Sequence, residues 1–350
     1  MIKILLQTKT YIGLFIAALI AVWLLISMGL RPVSGAGAPV RVVILKGTTA
    51  REISENLQDR GLIRSPFMFR LACKWSGSSN KLKPGVYELS PRMSVPKIID
   101  ELVEGKLLES WVTLPEGFTA RQMADILAKK QLVDGDAFVR LAITKGYEFS
   151  EYPFINGDNL EGYLFPDTYL VARGTDSQDI IRKMLDAFEE KIASPYRREI
   201  ENVIRERFGL GPDSFDEGLY RLLIVASLVE REAKVPKDRP LIAAVIWNRL
   251  AKGMRLEIDA AGSYSPGEST GNKSRLYYRD LKTDTPYNTY LHAGLPPTPI
   301  CNPGLASFKA VLKPAQVDYL FYVAHDGSHI FSRTFQEHIA AKNAARNGGH

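Results

Sequence analysis

Cysteine is scarce in this chain, with two in 350 residues, Cys73 and Cys301. They stand far apart in what read as different domains, so a disulfide framework is not indicated. Histidine is scarce too, and three of the five, His325, His329 and His338, fall close together. His325 and His329 have the i, i+4 spacing of a helical zinc pair, but Asp326-Gly327 between them makes a turn, so no metal and no cofactor is expected. No block of basic residues stands out, although the net charge is +6. Diffuse positive charge suits an anionic lipid surface or polymer and leaves nucleic acid the least favoured partner.

Long apolar runs are absent after residue 30. The exception before it, Tyr11 to Leu30, carries no charge and, at about 20 residues, is long enough to cross a hydrocarbon layer as a helix. Lys3 and Lys9 precede it and Arg31 and Arg41 follow it, so the charge bias is weak, and a short tail inside is the simpler orientation. Ala36-Gly37-Ala38 resembles a signal-peptidase site, which keeps a cleaved leader as the alternative. The length of the apolar run and Pro39 just after the cut favour an anchor. The expected layout is a cytoplasmic tail at 1–10, a transmembrane helix at 11–30 and a Gly/Ala/Ser/Pro linker at 31–39.

Sliding the chain by about 70 residues reveals an internal repeat. Gly47, Thr49, Ala50, Arg51, Leu57, Leu62, Arg70, Leu71 and Ala72 meet Gly117, Thr119, Ala120, Arg121, Leu127, Leu132, Arg140, Leu141 and Ala142. Each copy predicts a strand (Val40 to Leu45, Trp111 to Leu114), a Gly turn and a helix capped by Thr49 or Thr119. The first copy adds a second helix from Ser65 to Trp75 and a strand through Gly85, Val86 and Tyr87, a strand–helix–helix–strand unit. Downstream come an aromatic, turn-rich run from Glu161 to Tyr169, a charged helix from Ser177 to about Phe208, an apolar helix from about Leu219 to Lys234, and a helix from Arg239 to Lys252 stopped by Gly253. A Gly/Ser-rich loop is expected at Gly262 to Lys273 and a hairpin at Tyr319 to Ser332 around Asp326-Gly327. The residues from Ala340 are expected to fray.

Glu230 extends the inward row of Leu223 and Ala226 on the apolar helix. Such a carboxyl is desolvated, which favours its neutral form and suits a general acid. Glu232 is rotated about 200° from it. Pairing of Glu230 with Lys234 is the plain alternative.

These residues carry a resemblance. Ala226 to Glu232 (ASLVERE), Asn248-Arg249-Leu250 followed by Gly253, Met254, Arg255, Leu256 and Asp259, Pro286-Tyr287-Asn288-Thr289-Tyr290, Gly294-Leu295-Pro296-Pro297, and Pro299 to Gly304 (PICNPG) appear in this order. With Leu114-Pro115-Glu116-Gly117, Glu161 to Tyr169, and His329, Phe331 and His338, they resemble the YceG-like family, the MltG endolytic murein transglycosylases, over nearly the whole chain. After Asp259 the sequence departs from the pattern, with Ala260-Ala261 in place of Pro-Thr.

The resemblance implies an α+β fold: the N-terminal transmembrane helix, a LysM-like unit at 40–107, and a catalytic domain at 108–340, mostly helical with β elements. A second repeat-like unit would lie at 108–175 and a tail at 341–350. It implies a lyase of the cytoplasmic membrane with its catalytic domain on the outer side, cleaving the β-1,4 bond from N-acetylmuramic acid to N-acetylglucosamine and leaving a 1,6-anhydro end. Glycan strands of peptidoglycan would be the substrate and penicillin-binding-protein synthases the partners, with the enzyme terminating nascent strands. Glu230 would be acid and base in turn, because the sugar's own C6 hydroxyl is the internal nucleophile, where other glycosidases need a second carboxylate to serve as nucleophile or to activate water. Glu232, Asn248, Asp259, Tyr287, Asn288, Tyr290 and Pro296 would contact the glycan, with Tyr287 and Tyr290 stacking and Asn288 meeting an acetamido group. Two rivals stand beside this reading. A hydrolytic muramidase would need Glu232 or Asp259 to activate water, and a non-catalytic glycan-binding scaffold would recruit synthases.

Overall fold

The computed structural model describes residues 26–45, 47–105, 109–268 and 283–347, together with Ile16, Leu19, Ile20, Trp23 and Leu24. The expected tail at 1–10, most of the expected span at 11–30 and the loop beyond residue 268 lie outside the described residues. Among the described residues no helix is long and apolar enough to cross a membrane. The chain divides into two compact units, residues 1–111 with 170–173, and residues 112–169 with 174–350.

The first unit opens with β1 (Val40–Ile44), whose alternating burial turns Val42 and Ile44 inward. It pairs antiparallel with β2 (Gly85–Leu89) from Val40 opposite Leu89 to Ile44 opposite Gly85. Between them lie α1 (Ala50–Asp59) and α2 (Pro66–Trp75). Thr49 starts α1 with a reciprocal capping box to Glu52, and Ser65 caps α2 ahead of Pro66. The structure adds a helix that the repeat did not reveal, α3 (Val95–Glu104), capped by Ser94 and ended by left-handed Gly105. Ile53, Leu57, Phe69, Cys73, Ile98 and Leu102 close around Tyr87 and Leu89 to form the core. β3 (Glu109–Thr113) and β4 (Thr168–Ala172) complete a four-stranded sheet in the order β1-β2-β3-β4.

The second unit begins with α4 (Ala120–Lys129) and α5 (Gly135–Thr144). Thr119 repeats the capping box on Gln122, and Asp134 caps α5. The single charged helix expected at 177–208 is two helices, α6 (Ser177–Phe188), running on through a π turn at Glu189–Ala193, and α7 (Arg197–Phe208). Pro195, with no N–H to offer, separates them. The core of the unit is α8 (Phe215–Glu232), on which every residue from Leu222 to Val229 is buried. α7 crosses it closely enough that a methyl on Gly218 would lie 2.5 Å from Ile204. Val235, extended ahead of Pro236, ends that helix region. α9 (Arg239–Ala251) follows and stops at left-handed Gly253.

After a single helical turn at Asp259–Gly262, the chain forms α10 (Leu305–Leu312) and a hairpin of β5 (Phe321–His325) and β6 (Ser328–Ser332). Asp326 and Gly327 both have positive φ, 45° and 77°, as a two-residue type I′ turn requires. The expected frayed tail is instead α11 (Phe335–Asn347), which continues past Ala340 and packs on the hairpin through Phe335, His338 and Phe321. Both cysteines are buried and free.

Candidate active site

Glu230 closes the inward row of α8, and its side chain is 7% exposed. Two groups from later in the chain hold it. The Gly304 backbone N–H, at the start of α10, donates to Oε2 at 3.0 Å, and Arg239 Nη2, at the start of α9, reaches Oε1 at 3.5 Å. The sequence disclosed the inward position of this carboxyl but neither of these two partners. Pairing with Lys234 does not occur; Arg239 takes that place.

Arg239 is itself fixed. Its Nε donates to Ser307 Oγ at 3.0 Å, and the preceding Asp238, 1% exposed, accepts from Ser328 Oγ and pairs with His329 Nδ1 at 2.8 Å. The hairpin therefore anchors the end of α9 that presents Arg239. His325 pairs with Asp326 and His338 stacks on Phe321, so the three histidines serve three different contacts.

A buried polar frame adjoins Glu230 through Gly117 and Gly304. The Glu161 carboxylate accepts from Ala120 N–H at 2.9 Å, the Tyr264 hydroxyl at 2.9 Å and Asn302 Nδ2 at 2.6 Å. Complete burial pushes its carboxyl up to about 7, against these three bonds. Asn302 accepts from the Gly162 and Leu164 N–H groups at 2.8 and 3.1 Å and donates to the Phe118 carbonyl. Gly117 N–H donates back to the Asn302 carbonyl at 2.9 Å. Three segments distant in sequence, 115–118, 161–164 and 299–304, are so joined around one carboxyl. Gly117 faces the Glu230 side chain, and Arg231 Nη1 donates to the Gly117 carbonyl at 3.3 Å. Glu116, Glu161, Arg239 and Asn302 were not singled out as site residues from the sequence. Glu116, Glu161 and Asn302 stood inside motif runs, the one signal available for them.

The remaining expected contacts divide. Glu232, Asp259 and Tyr290 come together: Glu232 accepts from the Tyr322 hydroxyl at 3.1 Å, and the Tyr290 hydroxyl donates to Asp259 Oδ1 at 2.6 Å. Burial, with help from the Asp259 charge, pushes the Glu232 carboxyl up to about 7. The other four make contacts of their own within the protein. Asn288 is 1% exposed; its Nδ2 donates to the Thr283 carbonyl at 2.8 Å and its Oδ1 accepts from Tyr290 N–H at 3.0 Å, so its amide is used inside the turn. Tyr287 packs edge-on against Tyr264 and bonds Thr298 through its hydroxyl. Asn248 Nδ2 clamps the Val317 and Tyr319 carbonyls, both at 2.9 Å. Pro296 lines a cavity of about 570 Å³ beside Phe208, Tyr220 and Trp247 rather than the surroundings of Glu230. In each case a polar or flat side chain that suits a sugar suits a turn or a core equally well.

Fold and site together define a mixed α/β protein that sets one carboxyl at the end of a buried helix, fixed by a backbone N–H and an arginine. The chain belongs to the YceG-like family, whose model matches residues 42–344. It is similar to a Bacillus subtilis protein named endolytic murein transglycosylase, 32% identical over 87% of this chain and 84% of that one. A Streptococcus pneumoniae protein of the same name is 29% identical over 85% of this chain, which spans 57% of that longer protein. The crystal structure of a YceG-like protein from Listeria monocytogenes matches at a TM-score of 0.61 and 33% identity, covering 87% of this chain and 99% of that one.

Proposed function

We propose that this chain is an endolytic peptidoglycan lytic transglycosylase in which Glu230 is acid and base in turn. The observation that carries the reading is the fixed, nearly buried Glu230 carboxyl in a chain whose relatives bear that name. As an acid, Glu230 protonates the oxygen leaving N-acetylmuramic acid; as a carboxylate, it takes the proton from the C6 hydroxyl that closes the 1,6-anhydro ring. Gly304 and Arg239 stabilise the carboxylate between the two steps. Glu232 and Asp259, the carboxylates a hydrolytic route would call on, are engaged by Tyr322 and Tyr290.

The finer parts of the proposal rest on sequence. The apolar run at 11–30 anchors the chain in the cytoplasmic membrane with the site on its outer face, and the first unit acts as a LysM-like glycan-binding module. Cell-wall synthases are the expected partners, and nascent strands the expected substrate.

Digestion of purified sacculi by the full-length chain, followed by mass analysis of the new ends, tests the reaction. Anhydro ends are expected, and Glu230→Gln should abolish them without changing the melting temperature. Reducing ends would refute the lytic reaction, and an active Glu230→Gln would refute the role of Glu230.

A further inference from the structure

Glu230 has a second carboxyl for a neighbour. Gly304, whose N–H holds Glu230 Oε2, has an ordinary φ of −78° and needs no glycine for its backbone. The space beside its Cα is filled by Glu116: a methyl on Gly304 would overlap the Glu116 carboxyl and displace it. Glu116 is carried by the turn that Gly117 and Asn302 clamp, and it is exposed on the side facing solvent. The Glu116 carboxyl feels the charges of Glu230 and of Arg239, the same guanidinium that reaches Glu230 Oε1 at 3.5 Å. Among the described residues, Arg231, on the Gly117 carbonyl, and the buried Cys301 thiol are further titratable groups close to the pair.

One guanidinium facing one carboxylate makes a closed ion pair, which holds no proton and has no acid to offer. One guanidinium facing two carboxylates leaves an excess negative charge that a single proton neutralises. We propose that Glu116 is a positioning residue of the site, keeping the acidic proton available on Glu230 by adding this second negative charge across Gly304. Gly304 is glycine so that the Glu116 carboxyl can lie against it. The proposal rests on Glu230 being the acid. It extends that reading, because the pH range of cleavage is then set by a group outside the helix that carries Glu230. Burial and the Glu230 charge, partly offset by Arg239, raise the Glu116 carboxyl, in keeping with a shared proton.

The test compares pH profiles of kcat/KM for the full-length chain on purified glycan strands. Removing the charge by Glu116→Gln should move the alkaline limb to lower pH by about half to one pH unit, the effect of a like charge that is partly screened by solvent. Gly304→Ala, which displaces the same carboxyl while keeping the N–H, should move it in the same direction. Glu116→Asp, which keeps the charge, should restore most of the wild-type profile. Because Glu116 is exposed, melting temperatures should stay within a degree or two of wild type. Profiles that keep their shape while activity scales equally at every pH, or that do not change at all, overturn the proposal. Activity surviving in Glu230→Gln overturns the underlying assignment and the proposal with it; an inactive Glu230→Gln beside an unmoved limb in Glu116→Gln overturns the proposal alone.

Discussion

Replacing Glu161 by Gln should remove much of the pH dependence of stability of the second unit. The Glu161 carboxyl is raised from 4.5 to about 7 by complete burial. At about 1.4 kcal/mol per pH unit this displacement corresponds to about 3 kcal/mol. The direction follows from proton counting. Between these values the native state holds a proton that the unfolded chain has lost, so stability is full below about 4.5 and falls as pH rises through about 7. Glutamine copies the neutral acid: its carbonyl can accept from Ala120 N–H and Asn302, and its amide can donate to the Tyr264 oxygen. Urea unfolding followed by Trp247, the single tryptophan in residues 112–350, reports on this unit. From pH 5 to pH 8 the wild type should lose about 2 to 3 kcal/mol more than Glu161→Gln. Glu232, also raised to about 7, leaves a slope of the same sign in the variant. Parallel stability curves for the two proteins would refute the argument.

Three further outcomes are expected. Asn302→Ala deprives the buried Gly162 and Leu164 N–H groups and the Glu161 carboxylate of their partner, and should cost about 3 to 5 kcal/mol in the same urea experiment; a loss under about 1 kcal/mol would mean the frame repacks. Gly218→Ala gains helix propensity but sets a methyl 2.5 Å from Ile204, so a net loss of about 1 kcal/mol is expected, relieved when Ile204→Val is added; a stabilised single variant would contradict the close crossing. Asn288→Ala should lower the melting temperature and reduce activity only in proportion to the folded fraction, whereas a kcat that falls in a fully folded variant would assign Asn288 a contact with the glycan.

Most helices and the hairpin could be read from the chain alone. Apolar positions at helical spacing locate α8 and α9 to within a few residues, Thr49 and Thr119 mark where the two repeat helices begin, and Asp326-Gly327 requires the turn that forms. The inward row of α8 also singled out Glu230, because periodicity reports which side of an element leaves water. Its surroundings were decided by tertiary structure. Glu161 meets Ala120 across 41 residues and Asn302 across 141, and Gly304 meets Glu230 across 74. Hydrogen bonds between such distant loops leave no period in the sequence, and an asparagine that clamps a turn is written with the same letter as one that greets a sugar. The internal bonds of Asn288 and Asn248 were not legible for that reason, and Arg239 and Glu116 were not singled out as site residues. Local propensity and burial pattern are properties of neighbouring residues, whereas the proton chemistry of a buried carboxyl depends on whichever charges the fold brings within a few ångströms of it.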